Sequence, residues 1–229
     1  MGQTVSIDGR DGGFGGYLAT PASGAGPGIV VIQEIFGINA VMRQMCDRLA
    51  AQGFFALAPD LFWRLRPGIQ LTDQTDAEWK EALDLMGRFD PDKGVEDIQS
   101  TIDHLRGLTG VTGKIGAVGY CLGGMLAFLT AARTDADACV GYYGVSLPKY
   151  LGEAANITRP LMLHIADEDG FSSKEAQAQT LAALRGKAIC HVYPGVDHAF
   201  ARPGGKNFNA EAAGLADART DAFFRDHLT

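Results

Sequence analysis

Residues 115–124 read IGAVGYCLGG. The apolar, partly β-branched run from Ile115 to Val118 gives way to Gly119-Tyr120-Cys121-Leu122-Gly123-Gly124. Gly-x-Cys-x-Gly after such a run predicts a sharp strand-to-helix turn that holds the thiol above the end of the strand. Glycine on both sides lets strand and helix approach more closely than a Cβ would permit. The same turn sets Cys121 at a helix N-terminus, where partial positive charge favours a thiolate. The next amide, that of Leu122, then points to where an oxyanion would form, and the loop Glu34-Ile35-Phe36-Gly37 offers a second donor, expected at Ile35. Read alone, the motif also fits a tight connection without chemistry, so the rest of the chain has to decide.

Outward from the turn, apolar strands alternate with helical segments. Strands are expected at 14–19 (an early antiparallel one), 28–33, 54–59, 114–119, 138–143, 161–165 and 189–193. Helices are expected at 40–52, 77–89, 93–108, 123–133, 174–184 and 210–227, and residues 60–92 are otherwise irregular. Continuous apolar strands between amphipathic helices imply a mostly parallel, doubly wound α/β sheet of about eight strands covered on both faces. There is no internal repeat or low-complexity segment, and residues 1–229 are expected to form a single domain.

Composition narrows the function. The chain has 27 acidic and 20 basic residues, a net charge of −7, and 46% hydrophobic residues. No Lys/Arg block provides a phosphate-neutralising face, which argues against nucleic acid. No apolar run reaches the roughly 18 residues needed to span a bilayer, and MGQTVSIDGR lacks the regions of a signal peptide, so a cytoplasmic location with no membrane partner is expected. The four cysteines, Cys46, Cys121, Cys139 and Cys190, show no Cys-x-x-Cys pairing and no histidines at finger spacing, which argues against a zinc site. Three of them lie in helix-like or strand-like runs and read as small buried residues; Cys121 alone sits in a glycine-flanked turn.

Partners for Cys121 follow it in the order nucleophile, acid, histidine. His198, in Gly195-Val196-Asp197-His198-Ala199-Phe200, comes after the last strand, whereas His164 and His191 fall within strands and His104 and His227 within helices. His198 is therefore expected to act as the base. Ala166-Asp167-Glu168-Asp169-Gly170 follows the strand at 161–165 and supplies the acid; Asp169 is the expected residue, with Asp167 as the alternative.

These residues sit in a wider pattern. Gln33-Glu34-Ile35-Phe36-Gly37-Ile38-Asn39 with Met42-Arg43, Ala58-Pro59-Asp60-Leu61, Gly119-Tyr120-Cys121-Leu122-Gly123-Gly124, Gly141-Tyr142-Tyr143-Gly144-Val145 and His198-Ala199-Phe200-Ala201-Arg202 run in order through almost the whole chain. In these stretches the sequence resembles the dienelactone hydrolases (carboxymethylenebutenolidases), cysteine-dependent members of the α/β-hydrolase superfamily. The resemblance implies an α/β-hydrolase fold, Cys121 as nucleophile, His198 as base and Asp169 as the acid that orients it. It also implies that Glu34 lies beside the resting thiol and keeps it protonated and guarded until a substrate carboxylate displaces it. No cofactor is implied, and a monomer is.

The resemblance further implies substrate contacts at Phe36, Tyr143 and Arg202, with Arg202 gripping the substrate carboxylate. A second family arginine is missing: Trp79 stands at its place, and Leu83 and Met86 stand where aromatics are expected. Arg64, Arg66 and Lys80 are near enough in sequence to substitute. The leading reading is a hydrolase that opens a small carboxylated enol-lactone, of the dienelactone-to-maleylacetate type, through a cysteine thioester. A related cysteine esterase for a neutral or bulkier ester, which Trp79 and Leu83 favour, and a non-catalytic binding module are the alternatives.

Overall fold

The computed structural model describes residues 2–229. Eight strands, β1 (Gln3–Gly9), β2 (Gly12–Ala19), β3 (Gly26–Ile32), β4 (Phe55–Pro59), β5 (Val111–Tyr120), β6 (Ala138–Tyr142), β7 (Leu161–Ala166) and β8 (Ile189–Tyr193), form one sheet in the order β1-β2-β4-β3-β5-β6-β7-β8. β1 pairs antiparallel with β2 and β2 antiparallel with β4; every other neighbour is parallel. Strands β3, β4, β6 and β7 are buried over almost their whole length and β5 from Ile115 to Tyr120, as expected of parallel strands covered on both faces. This is an α/β-hydrolase fold.

Six helices complete it: α1 (Ala40–Ala51), α2 (Asp76–Arg88), α3 (Pro91–Gly107), α4 (Leu122–Arg133), α5 (Lys174–Ala183) and α6 (Ala210–Leu228). Two glycines in β3 and β5 report which helix covers which face. A Cβ at Gly116 would strike Phe224 and Leu228 of α6, and one at Gly28 would strike Ile115 and lie against Leu105 of α3. Gly28 pairs with Ile115 and Ile29 with Gly116, so these glycines point to opposite faces and α3 and α6 lie on opposite sides. On the α6 side, α1 is tied to α6 by Arg48 donating to Asp221 at 3.0 Å.

Helix α4 is buried from Leu122 to Ala131, which its uniformly apolar sequence requires. Helix α2 begins in a reciprocal cap: Thr75 Oγ1 accepts from the Glu78 amide at 3.2 Å and donates to Glu78 Oε2 at 2.8 Å. The sequence reading passed over two elements, β1 and a 3-10 helix at Leu147–Asn156. β1 buries only Ile7 fully, and its glycine-bounded alternation is too short and polar to stand out. Leu147–Asn156 begins at a Leu-Pro pair and lacks a sustained helical period.

Candidate active site

The sheet aligns the residues that matter before any loop does. Ile32 pairs with Gly119 and Gly119 with Gly141, in one row across β3, β5 and β6. Two residues beyond each member of that row stand Glu34, Cys121 and Tyr143, at the carboxyl ends of adjacent strands. Asp169 follows β7 and His198 follows β8.

Cys121 sits between β5 and α4 at φ 58° and ψ −113°, a conformation L-residues avoid. Hydrogen bonds over-determine it. Its amide donates to the Tyr142 carbonyl at 3.1 Å, and its carbonyl accepts from the amides of Gly124, Met125 and Val145 at 3.0, 3.2 and 3.3 Å. A side chain at Gly119 would run into the Gly123 carbonyl, one at Gly123 into the carbonyls of Ile32 and Gln33, and one at Gly124 into that of Tyr142. Glycine is thus required three times within six residues. The other non-glycine residues with positive φ among those described are Tyr143, Ser146 and Ala199, all around the same site. Backbone strain concentrated in this way is a mark of functional sites.

His198 Nδ1 lies 3.0 and 3.1 Å from the two oxygens of Asp169, with both side chains nearly inaccessible. Asp197 braces the same loops by accepting from the amides of His198 at 2.6 Å and Gly170 at 2.9 Å, and Asn207 donates to the His198 carbonyl at 3.0 Å. Asp167 instead takes Lys174 at 2.6 Å and does not meet the ring. The Cys121 sulfur stands beside His198. Burial works against a charged ring, but the opposing Cys121 and Asp169 outweigh it and push the His198 pKa up to about 10. His164 is bonded on both nitrogens, to Tyr193 Oη at 2.7 Å and Thr220 Oγ1 at 2.9 Å, and burial lowers its pKa well below the usual value. Burial pushes the thiol pKa up for Cys46, Cys139 and Cys190.

Cys121 and His198 open into a cavity of about 110 Å³. A single water occupies roughly 10–15 Å³ of such space, so there is room for a small ring or short acyl group. Its wall is apolar: Ile35, Phe36, Trp79, Leu83 and Met86. Trp79 packs edge-on against Phe36, ring centres 5.3 Å apart, and donates from Nε1 to the Asp73 carbonyl at 3.2 Å. Among the described residues neither the Ile35 nor the Leu122 amide donates to a protein group. Tyr143 is buried under the site and its hydroxyl has no protein partner.

Arg202 lines the cavity, its guanidinium 5.2 Å from the centre of the Phe36 ring. Nη1 donates to Glu34 Oε2 at 3.3 Å and Nη2 lies 3.2 Å from Asp73 Oδ2. Burial raises the Glu34 pKa against the pull of Arg202, and its second oxygen, Oε1, has no partner. No hydrogen bond joins Glu34 to Cys121; the carboxylate turns to Arg202 instead. None of the three replacement cations enters the cavity. Arg64 is held by Asp97 and Asp11 (2.8 Å to the latter), Arg66 pairs with Glu81, and Lys80 is exposed. The sequence reading missed four site neighbours. Val145, Ser146 and Phe171 line the cavity, Phe171 with its ring 4.7 Å from His198, and Asp73 reaches Arg202. No group of three or more His, Cys, Asp or Glu side chains among the described residues is arranged to hold a metal ion, and no helix is long and apolar enough to cross a membrane.

Residues 14–228 match the model of the dienelactone hydrolase family. Carboxymethylenebutenolidase 1 of Cupriavidus pinatubonensis is 42% identical over 94% of this chain and 93% of its own. A protein of Azospirillum brasilense provisionally named a carboxymethylenebutenolidase is 51% identical over 96% of both chains. Among solved structures, one of a Klebsiella pneumoniae protein provisionally named a dienelactone hydrolase superimposes with a TM-score of 0.86, at 26% identity over 99% of each chain. The strand order, the cysteine at a strained turn and the match over nearly the full length lead to one assignment: the chain belongs to the dienelactone hydrolase family and is a hydrolase.

Proposed function

We propose that the protein hydrolyses the ester bond of a small lactone or ester through a thioester on Cys121. The observation that carries this reading is the placement of His198, bonded through Nδ1 to Asp169 and set beside the Cys121 sulfur in one cavity. Asp169 fixes the ring's orientation and favours its charged form, which in turn favours a thiolate. The thiolate attacks the carbonyl carbon, and the carbonyl electron pair moves onto oxygen, where the free amides of Leu122 and Ile35 receive it. Each such donor typically contributes about 3 kcal/mol to the transition state. Collapse breaks the C–O bond; the departing enolate or alkoxide takes a proton from His198. Water then gives a proton to His198 and attacks the thioester, releasing the acid and restoring the pair. Only water is consumed.

The names of the relatives point to a carboxylated enol-lactone, with Arg202 as its carboxylate anchor. A second reading, an uncharged lactone or ester, is favoured by the apolar wall at Trp79, Leu83 and Met86 and by the lack of any other Lys or Arg among the described lining residues. The test is the ultraviolet absorbance of cis- and trans-dienelactone, and release of nitrophenol from p-nitrophenyl acetate, with wild type and Cys121→Ala. Turnover of at least one compound, lost in Cys121→Ala, is expected. Turnover that survives the substitution would remove Cys121 from the chemistry.

A further inference from the structure

We infer that Asp73 is a specificity-determining residue, whose carboxylate occupies the face of Arg202 that a carboxylated substrate needs and so biases the Cys121 cavity towards uncharged lactones and esters. The inference rests on the proposed hydrolysis at Cys121 and adds the charge of the preferred substrate.

Arg202 separates two spaces. One is the cavity over Cys121; the other, also about 110 Å³, lies between Phe36, the start of α1 and residues 72–74. Asp73 stands in the second space and closes on Nη2, while Glu34 holds Nη1. The side chains of Arg202, Glu34 and Asp73 are 9%, 3% and 10% exposed, so solvent and salt screen the cluster little. Two carboxylates already face one guanidinium. A third, carried by a substrate, meets net repulsion unless it displaces Asp73. Burial raises the Glu34 pKa, and the nearby Asp73 adds to that rise while Arg202 and His198 oppose it.

The turn that carries Asp73 is held in place, and the Asp73 carboxylate oxygen Oδ1 accepts from Gln74 Nε2 at 2.6 Å. Before it, Thr72 donates from its amide and its hydroxyl to Glu78, both at 2.9 Å, and the Leu71 amide donates to the Phe36 carbonyl at 2.9 Å. At Asp73 itself the carbonyl accepts from Trp79. The wall of the cavity and the position of the internal counter-ion are therefore built by the same turn and helix. Moving that turn would disturb the tryptophan that shapes the cavity.

The test uses two compounds that differ in charge and by one methyl group: cis-dienelactone, which carries a free carboxylate, and its methyl ester, each followed by loss of ring absorbance. Asp73→Asn keeps the size of the side chain and an acceptor for Nη2 while removing the charge. The ratio of kcat/KM, acid over methyl ester, is expected to rise about tenfold or more in Asp73→Asn, the scale of one charge-assisted hydrogen bond. An unchanged or lower ratio overturns the inference. Wild type gives a reading independent of any variant: a higher kcat/KM for the methyl ester supports the role of Asp73, and a higher value for the acid overturns it. Cys121→Ala, run beside them, separates the two ideas. Activity surviving that change strikes at the nucleophile, while the ratio still judges Asp73.

Discussion

Glu34 and Arg202 meet at 3.3 Å, with side chains 3% and 9% exposed. A pair so deeply buried is costly to break from one side, because the survivor keeps its charge without a partner. Arg202→Ala is expected to destabilise the fold by about 3–5 kcal/mol at pH 8 in a denaturant titration. The loss should shrink at pH 5, where the stranded Glu34, its pKa already raised by burial, takes up a proton. Arg202→Ala strands two carboxylates, Glu34 and Asp73, whereas Glu34→Leu with Arg202→Met strands only Asp73 and should cost less than Arg202→Ala alone. A double variant weaker than the single would show that the pair is not coupled.

The His198 pKa predicts the pH dependence of stability. Folding raises it from the ordinary 6.5 to about 10. The ring's contribution is complete below the unfolded value and disappears as pH rises through the folded one. The difference in Tm between wild type and His198→Gln is expected to narrow steadily between pH 7 and pH 10. A gap that stays constant over that range would mean the ring is not charged in the folded protein.

Gly123 has no room for a methyl group beside the carbonyls of Ile32 and Gln33. Gly123→Ala should cost about 1–3 kcal/mol of stability through overpacking. By shifting the turn it should also lower kcat on the order of 100-fold, the usual consequence of a misplacement of about 1 Å. Equal activity in a well-folded variant would show that the turn can relax without moving Cys121.

Phe171 is 54% exposed yet packs its ring 4.7 Å from His198. Phe171→Ala should therefore leave stability within about 0.5 kcal/mol. Loss of the aromatic contact should reduce kcat/KM about 2- to 10-fold. A stability loss without a change in turnover would make it a structural residue.

How much of this was legible depended on how local each cause is. The turn at Cys121 could be read because its constraints fall on neighbours in sequence: three glycines and one cysteine within six residues. The preference for Asp169 over Asp167 gains a physical basis only in the fold, where Lys174 draws Asp167 away from the ring. Trp79 stands out in the sequence as a departure from the resemblance, but whether a nearby cation enters the cavity was not readable. Arg64 and Arg66 are claimed by Asp97, Asp11 and Glu81, contacts spread from residue 11 to residue 97. Asp73 escaped notice for the same reason: its partner lies 129 positions away along the chain (202 − 73), and no periodicity links them. β1 was missed because an edge strand needs only one buried face, here little more than Ile7.

The row formed by Ile32, Gly119 and Gly141 has a consequence for how the chain can change length. Glu34, Cys121 and Tyr143 each stand two positions past a paired residue, so their spacing is set by the roughly 4.8 Å between neighbouring strands. Adding or deleting one residue within β3, β5 or β6 would turn the following side chain to the opposite face of the sheet and take it out of line. The connection at 60–75 is pinned by the Gly37–Gln70 bridge and the Leu71–Phe36 hydrogen bond, whereas 147–159 pairs with no strand and can lengthen or shorten at modest entropic cost. Variation in length should gather in that second connection, while the row of Glu34, Cys121 and Tyr143 stays fixed.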